Sequence, residues 1–143
     1  MNTKDYLNQV SRLEKTIKHK ETEISQYREL TTRLSSAQYG VKVRTSPEPD
    51  RIGATMAKID EMECELIETI NCYVDKKNHI IAQIDGIEDE MLYQVLFARY
   101  IEKKTFEKIA EELNYSPRQI SRLHERVLAE FEKKYGAEYL KTE

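Results

Sequence analysis

Three arginines recur at every fourth position near the C-terminus, at Arg118, Arg122 and Arg126. Residues four apart lie on one face of a helix, so a helical segment would place the three guanidinium groups side by side. A guanidinium group donates two parallel hydrogen bonds to a guanine edge, or grips a phosphate. The spacing therefore predicts a surface that binds nucleic acid.

The rest of this segment favours such a helix. At about 100° per residue, Gln119 and Glu125 fall beside the arginines, and apolar residues fall on the opposite side. These apolar residues are Ile120, Leu123, Val127 and Phe131. Ser116 suits the N-cap position and Pro117 the first turn. A helix that is only packed on one face shows the same division, so the pattern alone leaves a purely structural role open.

A second helix is predicted just before the first. Thr105 can cap it, and its apolar residues are Phe106, Ile109, Ala110 and Leu113. Residues 114–116 then interrupt the pattern before Ser116 restarts it. Two helices joined by so short a turn predict a helix-turn-helix over residues 104–134, with the DNA-recognition helix beginning at Ser116.

Length and composition bound the kind of protein. The chain has 143 residues, of which 34% are charged and 39% hydrophobic, with few Gly and Pro and no Trp. This profile favours extended helices over a thick globular core. Cys64 and Cys72 indicate a reducing compartment rather than a disulfide framework. Without a signal peptide or an apolar run long enough for a bilayer, the sequence predicts a cytoplasmic protein with no membrane partner.

Charge is strongly segregated along the chain. Residues 1–45 carry a net +4, residues 46–91 carry −8 and residues 92–143 carry +1. Phosphate contacts dominate affinity for DNA, so a segment at +1 predicts weak binding by one copy. We therefore expect a homodimer.

The N-terminal half predicts a helical hairpin. Over residues 3–36 a heptad stripe predicts one helix roughly 50 Å long. Its members are Tyr6, Val10, Leu13, Ile17, Ile24, Tyr27 and Leu34, with Lys20 and Thr31 filling the remaining positions. Residues 35–50 break the pattern at Gly40, Pro47 and Pro49, with a short extended piece possible around Val41 and Val43.

A second heptad stripe runs from about residue 50 to 87. Its members are Ile52, Met56, Ile59, Leu66, Ile70, Tyr73, Ile80, Ile84 and Ile87, interrupted by Glu63 and Lys77. Two helices of similar length joined by a turn-rich loop predict an antiparallel hairpin, and their opposite net charges attract in any register. Further apolar residues lie off this stripe and suggest additional buried surface in a dimer: Met62, Ile67, Val74 and Ile81.

The predicted fold is all-α. A coiled-coil hairpin over residues 1–87 precedes a three-helix helix-turn-helix module over residues 88–143. The first helix of that module should run from Glu88 to Tyr100, after a joint at Gly86. Tyr135 and Gly136 should end the recognition helix and leave residues 137–143 as a frayed tail.

No pattern predicts catalysis, a metal or a cofactor. Cys64 and Cys72 lie too far apart for one metal site, and the three histidines are scattered over separate segments. The chain contains no Gly-rich phosphate loop, and its serines lack the setting of a nucleophile. We therefore predict that the protein is not an enzyme. His124, at the edge of the apolar face, is expected to pack rather than to contact bases.

Residues from about 88 to 134 resemble the region-4 helix-turn-helix of bacterial sigma factors, especially the stretch LFARYIEKKTFEKIAEELNYSPRQISRLHERVLAEF. The matching elements are Arg99-Tyr100, Thr105, Ile109-Ala110 and Ser116-Pro117-Arg118. The whole chain resembles small phage- and prophage-encoded regulators of the ArpU-type late-gene group, which join a helical hairpin to a sigma-like module. The VRTSPEPD segment, residues 43–50, is similar to that group's hairpin connection.

The resemblance implies a sequence-specific transcriptional regulator that binds promoter DNA and contacts RNA polymerase. It implies base-facing positions for Arg118, Gln119, Arg122 and Glu125. It also places Lys103, Lys104 and Thr105 near backbone phosphates. The chain lacks a sigma region 2, so it should not open a promoter alone.

Two other functions remain open at this stage. A small terminase subunit of a phage packaging machine also joins a helix-turn-helix to oligomerising helices, and it would form a closed ring. An adaptor docking on RNA polymerase would show no salt-sensitive binding to DNA. Regulation predicts a monomer or a dimer.

Overall fold

A computed structural model describes the backbone of residues 1–40 and 49–140, and the side chains of residues 1–34 and 51–140. The described residues form six α-helices and no strand, which confirms the all-α prediction. The helices are α1 (Thr3–Leu7), α2 (Gln9–Gly40), α3 (Pro49–Asp85), α4 (Glu90–Tyr100), α5 (Phe106–Leu113) and α6 (Pro117–Tyr139). The extended piece around Val41 and Val43, and most of the VRTSPEPD segment, lie outside the described residues.

The bounds of the long helices differ in detail from those expected. The helix predicted over residues 3–36 is divided at Asn8. The Asn8 N–H donates to the Lys4 carbonyl at 2.9 Å and so ends α1. Helix α2 continues to Gly40, five residues past the predicted break at residue 35. Helix α4 begins at Glu90 rather than Glu88, because the Asp89 carboxylate caps it by accepting from the Met91 and Leu92 amides.

The chain divides into two compact units. Unit 1 contains residues 1–13 and 73–143, and unit 2 contains residues 14–72. The predicted domain boundary between residues 87 and 88 falls inside unit 1. The ends of the two long helices therefore belong with the C-terminal helices rather than with the rest of the hairpin.

In unit 2, segments of α2 and α3 pack antiparallel along an apolar seam. Its buried centre consists of Ile24, Ile59 and Met62, and Tyr27 and Leu66 pack against it. Ion pairs flank the seam: Lys20 lies 3.5 Å from Glu65, and Arg28 pairs with Glu63. Exposed pairs stabilise only weakly, so the seam supplies the stability and the charges favour the pairing.

The inward stripe of α3 includes most of the predicted members, among them Ile59, Ile80 and Ile84, but it differs from the prediction near its start. Met62, which was expected off the seam, is buried, whereas Met56, which was expected on it, is 55% exposed. The reason is that α3 is apolar along two adjacent stripes, which a heptad count alone does not rank. The seam that packs against α2 passes through Ile59, Met62 and Leu66.

Unit 1 has a core to which five of the six helices contribute. The buried residues come from α1, α2, α3, α4 and α6 and from the connection between α3 and α4, which supplies Ile87: Tyr6, Leu7, Val10, Ile80, Ile84, Ile87, Leu92, Leu96, Tyr100, Val127, Phe131 and Tyr139. Each such aliphatic side chain contributes about 1.5–3 kcal/mol when it leaves water. Residues on both sides of position 87 therefore stabilise the helix-turn-helix.

The prediction that the recognition helix ends at Tyr135-Gly136 is wrong. Helix α6 continues through Gly136, which is buried, to Tyr139. The Tyr139 ring stacks on Tyr6 with centroids 4.2 Å apart, and its hydroxyl lies 2.8 Å from the Thr3 hydroxyl. A helical glycine costs about 1 kcal/mol, and burial of the tyrosine outweighs that cost. Of the predicted tail, only residues 141–143 lie outside the described residues.

Candidate nucleic-acid interface

Helices α5 and α6 form the predicted helix-turn-helix, with side-chain caps at both starts. The Thr105 hydroxyl caps α5 by accepting from the Lys108 amide at 3.2 Å. Helix α5 ends at Leu113 and is followed by Asn114, whose φ of 61° is left-handed and whose short polar side chain tolerates that conformation. Ser116 then caps α6, with Pro117 in the first turn. Together these residues fix the conformation of the turn and therefore the direction of α6 relative to α5.

Ser116 and Gln119 form a reciprocal capping box. The Ser116 hydroxyl accepts from the Gln119 amide at 3.2 Å, and the Gln119 side-chain oxygen accepts from the Ser116 amide at 2.9 Å. Both side chains thus stabilise the start of α6. The oxygen of the Gln119 carboxamide is engaged in the cap, so its NH₂ group is the part left for a base edge.

The inner face of α6 is anchored on two clusters of apolar residues. Ile120, Val127 and Phe131 are completely buried. Ile120 packs with Val95 and Ala98 of α4 and with Ile109 and Ala110 of α5. Val127 and Phe131 belong to the core of unit 1. The helix is therefore held along most of its length, which fixes the direction of its outer face.

The outer face of α6 carries the arginines. Arg118, Arg122 and Arg126 are all exposed, as is Glu125 between them. Among the described residues, none of the three guanidinium groups has a salt bridge or an intramolecular hydrogen bond. The structure thus brings the predicted base-facing residues together on one open surface, here called the arginine face, defined by Arg118, Arg122 and Arg126.

Lys104 differs in its surroundings. Its ammonium lies 2.7 Å from a Glu112 oxygen and 3.1 Å from a Glu102 oxygen. Hydrogen bonds to these two carboxylates raise the pKa of Lys104, and the Lys104 ammonium lowers the pKa of Glu112. A phosphate would have to compete with both carboxylates. Lys104 is therefore a weaker candidate for a phosphate contact than its sequence position indicates.

The loop before α5 is held by Arg99, which sequence reasoning did not assign a place in the site. The Arg99 guanidinium lies 4.5 Å from the Phe106 ring centroid and donates to the Lys104 carbonyl at 3.1 Å. Next to it, the exposed Lys103 adopts a left-handed φ of 58°. Arg99 thus positions Lys103, Lys104 and Thr105. The contact between Arg99 and Phe106 could not be predicted from a local pattern, because the two residues are seven apart and separated by a loop.

His124 is a packing residue, as predicted. It is 5% exposed, its Nε2 is hydrogen-bonded to the Tyr100 hydroxyl at 2.7 Å, and its ring lies 5.0 Å from the Phe106 ring. Burial, with smaller effects of Lys4 and Arg99, lowers the pKa of His124 to about 4. Burial also raises the pKa of Tyr100 to about 12. The imidazole is therefore neutral at pH 7 and links α6 to α4.

The low pKa of His124 predicts a pH-dependent stability. Between pH 6.5 and about 4 the unfolded chain binds a proton that the folded imidazole does not, so acid favours unfolding. We expect His124 to lower the free energy of unfolding by about 2–3 kcal/mol on going from pH 7 to pH 4. Urea titrations across this range would measure the decrease.

The matched control for this prediction is His124→Gln, which keeps a polar side chain without a titrating group. Its stability should fall less steeply with acid than that of the parent chain. Identical pH profiles for the two proteins would contradict the assignment to His124.

Comparison of the chain with protein-family models, curated proteins and solved structures found no match. The resemblance to sigma region 4 thus rests on the residues quoted above and stays a prediction. No helix in the described part of the chain is long and apolar enough to cross a membrane.

Proposed function

We propose that the protein is a sequence-specific regulator of transcription that places the arginine face of α6 in the major groove of double-stranded DNA. The observation that carries this proposal is the combination of three exposed, unpaired arginines on a helix whose opposite face is buried. A purely structural helix needs no such row of three arginines on its open face. Glu125 lies among them but forms no ion pair with any of the three in the described part of the chain.

The dimensions of the arginine face suit the groove. Consecutive arginines are separated by slightly more than one helical turn, about 6 Å along the helix axis, and the major groove, about 12 Å wide, admits one helix. Arg118 lies in the first turn of α6, where recognition helices commonly meet base edges. Arg122 follows on the same face, and Arg126 extends it toward the phosphate backbone.

The modest charge of the C-terminal segment supports a dimeric DNA-bound form. Residues 92–143 carry a net charge of only +1. A single module would bind few phosphates and would contact only a few base pairs. Two modules related by a two-fold axis would double both contributions.

The biological setting follows from the resemblance to the ArpU-type group. It favours control of phage or prophage late genes in the bacterial cytoplasm, with RNA polymerase as a further partner. Which genes the protein controls is a separate question from whether α6 binds DNA. The proposal for α6 stands or falls on DNA binding alone.

Selection of binding sites from random duplex DNA, followed by hydroxyl-radical footprinting, tests the proposal. We expect an enriched sequence with two inverted half-sites whose centres lie about one helical turn, roughly 34 Å, or a multiple apart. Failure to enrich any sequence, with equal binding to all DNA at every salt concentration, would contradict it.

The same sample distinguishes the other two functions. A packaging subunit would elute as a ring of many copies, which light scattering detects. An adaptor would bind polymerase without enriching any DNA sequence. Either result would replace the proposed regulator.

A further inference from the structure

Helix α3 carries apolar side chains that its own chain leaves exposed. Met56 is 55% exposed, Ile67 is 58% exposed and Val74 is 44% exposed. Ile67 and Val74 are seven residues apart, and Met56 precedes Ile67 by eleven, so all three lie along one side of the helix. Solvent-exposed apolar side chains in a row on one helix are typical of a surface that packs against another helix.

The surrounding residues complete a second heptad stripe. We call it the outer stripe, and it comprises Met56, Asp60, Glu63, Ile67, Ile70, Val74, Lys77 and Ile81. These positions alternate in steps of three and four, as in a coiled-coil seam. The outer stripe is adjacent to the seam through Ile59, Met62 and Leu66 that packs against α2, and differs from it.

Next to the outer stripe, unit 2 has an open groove between α2 and α3. It is lined by Glu21, Ile24, Ser25 and Arg28 of α2 and by Glu63, Leu66 and Ile67 of α3. This groove has apolar residues, Ile24, Leu66 and Ile67, beside charged ones, as a surface that accepts an amphipathic helix does.

We propose that a second copy of this chain packs on the outer stripe, with the two α3 helices antiparallel about a two-fold axis between Ile67 and Ile70. In that register Ile67 faces the partner's Ile70. Met56 faces the partner's Ile81 near each end of the contact. Between them Asp60 faces the partner's Lys77, which gives one ion pair on each side of the axis.

Charge decides in favour of this pairing. A parallel pairing would set Asp60 against Asp60, Glu63 against Glu63 and Lys77 against Lys77, which is repulsive at all three layers. The antiparallel register replaces two of these layers with Asp60–Lys77 pairs. In the third type of layer Glu63 meets Val74, and Glu63 already has Arg28 of its own chain as a partner.

The two charged residues are available for this role. Asp60 is exposed and has no ion pair within the described part of the chain. Lys77 is half-buried, with its ammonium 3.1 Å from the Tyr73 hydroxyl. The Tyr73 contact holds the lysine near the helix surface and leaves its charge uncompensated by a carboxylate.

Sedimentation equilibrium of the full chain without DNA tests the apolar part of the contact. The wild type should be a dimer at micromolar concentration. Ile67→Lys should raise the dissociation constant about a hundredfold, because two buried isoleucines are lost per dimer at about tenfold each. Leu30→Lys is the matched control, since Leu30 is 45% exposed on α2 and lies outside the outer stripe; it should leave the constant unchanged.

Charge reversal tests the register. Asp60→Lys alone and Lys77→Glu alone should each weaken the dimer, because two pairs of like charges then face each other. The combination of both substitutions should restore dimerisation to near the wild-type level. Circular dichroism shows whether each variant keeps its fold. If the half-buried Lys77 variant unfolds, the variant at the exposed Asp60 still tests the register.

A wild-type monomer at high micromolar concentration would overturn the proposal. So would a dimer that survives Ile67→Lys, or single charge variants that the combination does not rescue. This inference supplies the surface for the dimer of the proposed function, but its test contains no DNA. A dimer without sequence-specific binding would reject the regulator alone, and site-specific binding by a monomer would reject the outer stripe alone.

Discussion

Replacing Ile84 with Asp should unfold the helix-turn-helix, although Ile84 lies in α3, before the predicted DNA-binding module. Ile84 is completely buried in the same cluster as Leu92, Leu96 and Phe131. Burying an unpaired carboxylate costs several kcal/mol, a large part of the 5–15 kcal/mol that stabilises a typical domain. Thermal melts and amide hydrogen exchange in α4 and α6 would measure the loss.

Two controls separate this effect from a general loss of the long helices. Ile24→Asp places the same charge in the core of unit 2, where Ile24 is 5% exposed, and should reduce amide protection mainly within residues 14–72. Leu30→Asp, at an exposed position, should change stability by no more than about 0.5 kcal/mol. If a fragment beginning at residue 88 melted as cooperatively as the full chain, the shared core would not be needed.

Removing the arginine face should abolish most of the sequence preference while leaving the fold intact. We expect Arg118→Ala and Arg122→Ala each to weaken binding to the selected site by about 1–3 kcal/mol. Both side chains are exposed and unpaired, so the free energy of unfolding should change by no more than about 0.5 kcal/mol. Titrations against the selected and a scrambled duplex at several salt concentrations would measure both affinity and preference.

Arg122→Lys is the matched control for these variants. It keeps the positive charge and the attraction to phosphates, but it cannot donate two parallel hydrogen bonds to a guanine. Its binding to scrambled DNA should therefore resemble that of the parent chain, while its preference for the selected site falls. An Arg122→Lys protein with full preference would show that only charge matters at this position.

Local features of the helix-turn-helix could be predicted from sequence because each depends on neighbouring residues. A hydroxyl at Thr105 or Ser116 reaches an amide three residues later, and the break at residues 114–116 interrupts the helical pattern locally. The arginine spacing and the apolar face of α6 are likewise helix-periodic. Those predictions agree with the structure of α5 and α6.

Features that depend on contacts distant in sequence could not be predicted. Helix α3 has two adjacent apolar stripes, and its periodicity does not determine which one packs on α2. The sequence therefore placed Met56 on the seam and Met62 off it, whereas Met62 is buried and Met56 is exposed. The sequence predicted a helix end at Gly136. The contact that favours one more turn is the stacking of Tyr139 on Tyr6, which lies 133 residues away in the chain. The same limit applies to the shared core around Ile84.

The candidate site shows both cases. Arg118, Arg122 and Arg126 share a face because one helix carries them, and the sequence is sufficient to place them there. The surroundings of Lys104 depend on where α5 brings Glu112, which is a tertiary contact. The phosphate contact that the resemblance implies for Lys104 therefore stays a prediction, with Glu112 as a competitor for the ammonium.

The most direct test of a base-contacting α6 couples one arginine to one base. The selected duplex would be titrated with the parent chain and with Arg122→Ala, using normal DNA and DNA in which a protected guanine is replaced by 7-deazaguanine, which lacks the N7 acceptor. We expect the analogue to weaken the parent chain about tenfold or more and to leave Arg122→Ala, or Arg118→Ala at a neighbouring guanine, unaffected. If the analogue weakened the parent chain and both arginine variants equally at every guanine of the site, α6 would not contact the base edges.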